Sequence, residues 1–139
     1  MSNLRLTYEV IAGDMGRAGE ASSAVKQTLR KMGFDSDTIR RVSVCMYEGE
    51  INMVIHANGG TADVDVGLDD ITIVLRDVGP GIPDIEKAMQ EGFSTAGDSA
   101  RNLGFGAGMG LPNMQKNVDK LNVTSEVGVG TTVEMEVNF

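Results

Sequence analysis

The 139-residue sequence carries one cysteine and one histidine, Cys45 and His56. That excludes an internal disulfide and a Cys/His zinc site. Basic residues are also scarce, with 12 Lys and Arg against 20 Asp and Glu and a net charge of −8. This balance weighs against nucleic acid or an anionic membrane as the main partner, so a bound polyanion would need a local device. Apolar runs are short. The longest, residues 71–75, is interrupted by Thr72 and falls far below the length of a membrane span. No stretch resembles a signal peptide, and no repeat, linker or charge block divides the chain. A single cytoplasmic domain over residues 1–139 is the expectation.

Glycine, by contrast, is abundant. There are 18, well above the ordinary ~7%, and eight lie between Gly79 and Gly110. A local excess of this kind marks a backbone that turns sharply or approaches something closely.

Periodicity supplies the elements around that stretch. Residues 4–11 alternate as a half-buried strand. Asp14 is placed to cap a helix running to about Met32, with Ala18, Ala21, Val25, Leu29 and Met32 three or four apart and Gly33 as its stop. Asp35 or Ser36 starts a second helix that ends at Asn58-Gly59-Gly60. Its second half, with Val44, Tyr47, Ile51, Val54 and Ile55, is apolar nearly all round and predicts burial. Strands at 62–67 and 71–76 form a hairpin about Leu68-Asp69-Asp70. Residues 78–107 then lose periodicity, apart from a short helix that Pro83 could open through Gln90. A third long helix at 109–121 and strands at 122–126 and 131–138, joined by Gly128-Val129-Gly130, complete the chain. This order predicts an α+β fold, a two-layer sandwich with helices on one face of a mixed, mostly antiparallel sheet. The irregular stretch of about 30 residues is too long for a passive connection and reads as a functional lid.

Three motifs could carry chemistry. Glu48, Asn52 and His56 are four apart, so they project from one face of the second helix. A carboxylate and an amide so placed suit a general base and a metal ligand, although on spacing alone a hydrogen-bonded structural row explains them better. Glu50 points away from that face, and Gly49 suggests close approach by another backbone or a ligand. Asp77-Val78-Gly79-Pro80-Gly81-Ile82 follows a strand directly. It is either a plain turn or an acidic acceptor beside room for a flat heterocycle. Gly104-Phe105-Gly106-Ala107-Gly108-Met109-Gly110-Leu111 runs into a helix. Its successive N–H groups can cradle phosphates, with a flexible hinge as the other reading. No Gly-Lys pair occurs in the chain, so this is not a P-loop.

Taken in order, the segments EGEIN (48–52), DVGPGI (77–82), GFGAGMGL (104–111) and GVGTT (128–132) resemble the nucleotide site of the GHKL, or Bergerat-fold, ATPases over essentially the whole chain. Within that superfamily the sequence is most similar to the bacterial anti-sigma-factor serine/threonine kinases. GFSTA, GAGMGLPNMQKNVDKL and SEVGVGTTV place it nearest the small switch kinases of stress-response partner-switching modules. The resemblance implies a histidine-kinase-like ATPase fold with a glycine-rich ATP lid. It implies Glu48 as the general base, Asn52 as the Mg²⁺ ligand at the nucleotide, and Asp77 as acceptor for the adenine amino group, with Gly79, Gly81 and Ile82 beside it. Gly104, Gly106, Gly108, Met109 and Gly110 would wrap the phosphates, Leu111 would open the helix behind them, and Thr131 would support the adenine end. The implied reaction moves the γ-phosphoryl group of ATP to Ser or Thr of a STAS-domain antagonist. A sigma factor or a phosphatase would be further partners, and a homodimer is compatible with the sigma-binding members. With no phosphoacceptor helix in view, a self-sufficient histidine kinase is not expected. The alternative is a nucleotide-gated module that sequesters a sigma factor or other regulator with little catalysis.

Overall fold

The computed structural model describes residues 4–11, 19–56, 59–79, 81, 89 and 110–139. Five strands and three helices are found there: β1 (Leu4–Val10), α1 (Glu20–Lys31), α2 (Ser36–His56), β2 (Gly60–Val66), β3 (Asp70–Asp77), α3 (Gly110–Asn117), β4 (Lys120–Glu126) and β5 (Gly130–Asn138). The strands form one sheet in the order β1-β2-β3-β5-β4. The expected mixed sheet is antiparallel at every pairing of the described strands.

Strand alternation decides which face the helices cover. Leu6, Val64, Ile73, Met135 and Leu121 form one continuous cross-strand row, and Val64, Ile73 and Met135 are almost wholly buried. Val25 and Leu29 of α1, Val42, Cys45, Met46 and Met53 of α2, and Met114 of α3 join them in one core. One residue along, the row Arg5, Asp65, Thr72, Glu136 and Lys120 faces the other way. It carries ion pairs at 2.9 Å (Arg5–Asp65) and 3.3 Å (Lys120–Glu136). Slipping any strand by one residue would exchange the two rows, which is why the register is unambiguous.

The helices correct four expectations. Helix α1 begins at Glu20, behind Gly19 in a left-handed conformation at φ 100°, while the expected cap Asp14 and Ala18 lie outside the described residues. Its cap comes from elsewhere, because Gly19 has no side chain to offer. Met32 lies past its last turn and is exposed. Helix α2 starts as expected, with Asp35 accepting from the Thr38 N–H at 3.1 Å and the Thr38 hydroxyl at 2.6 Å. Its second half is less buried than predicted, because Tyr47 is exposed. Helix α3 stops at Asn117, four residues before the predicted end. Arg41 Nε donates to the Asn117 carbonyl, and the chain turns so that Leu121 enters the core as a strand residue opposite Met135. The apolar spacing of Met114, Val118 and Leu121 fits one helix, but tertiary pairing divides it between two elements. The expected short helix at 83–90 lies almost wholly outside the described residues.

Candidate functional site

The second half of α2 crosses the end of β3. Gly49 makes this possible, since a Cβ there would overlap Leu75 Cδ1 and meet Met114 Cε at 3.5 Å. The close neighbours that Gly49 signals are therefore side chains of the sheet and of α3. On either side of this contact the two glutamates of EGEIN diverge. Glu48 is half-buried, and its Oε1 accepts from Asn113 Nδ2 of α3 at 3.1 Å. Asn52, one turn further along α2, is also half-buried. Glu50 turns to the opposite side and is 5% exposed. Its two carboxylate oxygens accept from Ala21 N at 3.2 Å and Ser22 N at 3.1 Å, the first turn of α1. This carboxylate is the missing cap of α1, supplied across the helix pair. His56 ends α2, and its side chain lies outside the description.

Asp77 closes β3 at the same end of the molecule. Its Oδ1 accepts from the backbone N–H of Thr131 at 2.8 Å, and the buried Thr131 hydroxyl pairs with Ser125 Oγ at 2.8 Å. Burial pushes the Asp77 carboxyl above the ordinary carboxylate range, partly offset by the Thr131 hydrogen bond. The following residues lie against the β4–β5 turn. Gly79 N donates to Val129 O at 3.2 Å, and Gly81, at φ 78°, sits where a Cβ would come within 2.6 Å of Glu126 O. Glycine is thus required at 81 by the protein's own backbone, whatever a ligand adds.

The structure therefore brings Asp77, Gly79, Gly81 and Thr131 together at the β3–β5 end, and Glu48 and Asn52 together on α2 beside α3. Gly110 is the first residue of α3, and Leu111 packs in the core behind it. Ile82, Gly104, Gly106, Gly108 and Met109 lie outside the described residues. Sequence reasoning missed Asn113 and the capping role of Glu50. Asn113 meets its partner across 65 residues and Glu50 across 28 and 29, contacts no local pattern encodes.

Asp77 accepts from the Thr131 N–H through Oδ1, and a half-buried carboxylate has a second oxygen that suits the amino group of a heterocycle such as adenine. An amide one helical turn from a carboxylate suits Mg²⁺, which takes few protein ligands and completes its shell with water and phosphate oxygens. No group of three or more His, Cys, Asp or Glu able to hold a metal occurs among the described residues.

Comparisons with known proteins identify the family. Residues 23–139 match the family described as histidine kinase-, DNA gyrase B- and HSP90-like ATPases. The chain is 31% identical over 113 residues to the serine/threonine-protein kinase RsbT of Bacillus subtilis strain 168, covering 78% of this chain and 79% of that protein. It is 33% identical over 107 residues to the anti-sigma F factor of Geobacillus stearothermophilus, covering 73% and 70% respectively. The catalytic domain of histidine kinase ThkA in a nucleotide-free form has the same fold, with a TM-score of 0.55 at 16% identity over 99% of this chain and 96% of that one. With the family match spanning residues 23–139 and a relative 31% identical over 78% of its length, the chain belongs to the histidine kinase-, DNA gyrase B- and HSP90-like (GHKL) ATPases.

Proposed function

We propose that this chain is an ATP-dependent protein serine/threonine kinase of the anti-sigma-factor type, acting on Ser or Thr of a STAS-domain antagonist in a partner switch. The observation that carries the reading is the separation of roles within EGEIN. Glu50 is consumed in capping α1, whereas Glu48 is half-buried, oriented by a neutral donor, and one helical turn from Asn52. The relatives named as a serine/threonine-protein kinase and as anti-sigma factors support it.

In this reading Asp77 accepts the adenine amino hydrogen bond and Thr131 holds Asp77 in place. Gly79, Gly81 and Ile82 border the base, while the loop through Gly104, Gly106, Gly108, Met109 and Gly110 wraps the phosphates ahead of Leu111. Mg²⁺, held by the Asn52 amide oxygen, would supply charge neutralisation on the phosphates. Glu48 takes the proton of the acceptor hydroxyl as its oxygen bonds to the γ-phosphorus and the bond to the β-phosphate oxygen breaks, leaving ADP. Positioning and electrostatics supply most of the acceleration in such transfers. The chain acts as one cytoplasmic domain, with a sigma factor or a phosphatase as further partners and a homodimer as the assembly to test. Among the described residues no helix is long and apolar enough to cross a membrane.

The test is incubation of the purified chain with γ-labelled ATP, Mg²⁺ and a protein extract of the source organism, beside Glu48→Gln. Acid-stable label on one small protein, absent with the variant, is the expected outcome. Absence of label with ATP binding intact by calorimetry overturns the kinase reading, and label that persists with Glu48→Gln overturns the role of Glu48.

A further inference from the structure

We propose that Asn113 is a positioning residue for phosphoryl transfer, setting the carboxylate of Glu48 from the helix that follows the glycine-rich loop. The inference rests on the reading of Glu48 as the base.

The geometry supports positioning at both ends of the hydrogen bond. Asn113 Nδ2 stands 3.1 Å from Glu48 Oε1. Its sequence neighbours Pro112 and Met114 are buried, and its own carbonyl accepts from Asn117 Nδ2 at 2.8 Å. Asn117 is in turn tied to α2, since its Oδ1 accepts from Arg40 Nη1 and its carbonyl from Arg41 Nε, both at 2.9 Å. Arg41 extends the brace to Asp119 at 2.8 Å. On the other side, Glu48 adjoins Gly49, which is packed on Leu75 and Met114. A flexible Glu side chain is thereby fastened between two backbones that cannot shift independently.

The chemistry of the donor matters as much as its place. An amide orients a carboxylate through one oxygen without bringing a positive charge, so the other oxygen stays available to take a proton. A lysine or arginine there would form an ion pair and compete with that task. Asn113 also lies only three residues beyond Gly110, the last glycine of the loop, so the arrangement of the loop's helix and that of the base are mechanically joined. Misplacement of a reacting group slows transfer, and the loss of one orienting hydrogen bond sets the expected effect at about tenfold.

Four variants test this with the acceptor protein recovered by the labelling experiment: Asn113→Leu, Asn113→Asp, Glu48→Gln and Glu48→Gln with Asn113→Leu. Asn113→Leu should lower kcat about tenfold while KM for ATP stays within about twofold. Asn113→Asp, of the same shape but facing Glu48 with an acceptor of like charge, should lower it further. The double variant should be no slower than Glu48→Gln alone. Wild-type kcat in both Asn113 variants overturns the inference, as does a fall in ATP affinity and thermal stability that accounts for the lost rate. If Asn113→Leu does not fold, Asn113→Asp decides alone by the same split of kcat against KM. Wild-type transfer by Glu48→Gln, or no acceptor at all, overturns the base assignment itself. Loss with Glu48→Gln and none with the Asn113 variants overturns only the role of Asn113.

Discussion

Replacing Glu50 by alanine should unfold the protein far more readily than any change at Glu48, only two residues away. Glu50 is 5% exposed and accepts from two backbone N–H groups of α1, at 3.2 and 3.1 Å. Gly19 provides no side-chain cap of its own. Truncation leaves two buried donors unpaired, at roughly 1–3 kcal/mol each, and removes a negative charge from a helix N-terminus, worth about 0.3–1 kcal/mol. Relief of the cost of burying the carboxylate, and entry of water into the vacated space, oppose these terms. A net loss of ~3 kcal/mol follows, a large share of the ~5–15 kcal/mol that holds most domains together. Glu50→Gln keeps one acceptor and loses the charge, so it should cost about half as much. Urea titration followed by circular dichroism measures both. With a slope near ~2 kcal/mol per molar, Glu50→Ala should move the midpoint down by about 1.5 M at unchanged slope. Glu48→Gln should leave it within roughly 0.3 M. A Glu50→Ala midpoint equal to that of the wild type would refute the cap, and with it the division of roles between the two glutamates.

Asp77 and Cys45 give further outcomes. Asp77→Ala should weaken ATP binding by about one to two orders of magnitude, from ~1.5–3 kcal/mol for a charged hydrogen bond; unchanged titration calorimetry would refute the adenine contact. Burial raises the Asp77 carboxyl, so the stability it contributes is present below the ordinary carboxylate pKa and is lost as pH rises through the raised value. ATP binding has the opposite sign, since the ionised form is the acceptor. Affinity should fall on acidification toward that raised value, and calorimetry showing the same pH dependence in Asp77→Ala would refute the assignment. Cys45 is wholly buried, its thiol pushed up to about 12 chiefly by burial. It should react with a thiol reagent only on unfolding, and rapid labelling of the native protein would contradict its place in the core.

Much of the architecture was legible from local pattern. Alternation over residues 4–11 announced β1, and Asp35 announced the start of α2. Asp77 at the end of β3, and Glu48 with Asn52 on one face of α2, followed from spacing alone, because a strand has period two and a helix nearly four per turn. What failed was local pattern where a distant partner overrides it. The spacing up to Leu121 reads as helix, yet pairing with Met135 makes that residue part of a strand. Gly49 reads as room for a backbone or a ligand, yet Leu75 and Met114 occupy it.

From the sequence alone, then, come the order of elements and the placement of Glu48 with Asn52 on one helix face and of Asp77 at a strand end, since each depends on neighbours within a turn or a strand repeat. Tertiary structure alone decided that Glu50 caps α1 while Asn113 holds Glu48, and that Thr131 secures Asp77. The physical reason is that a hydrogen bond depends on distance in space, and these partners lie 28 to 65 residues apart along the chain.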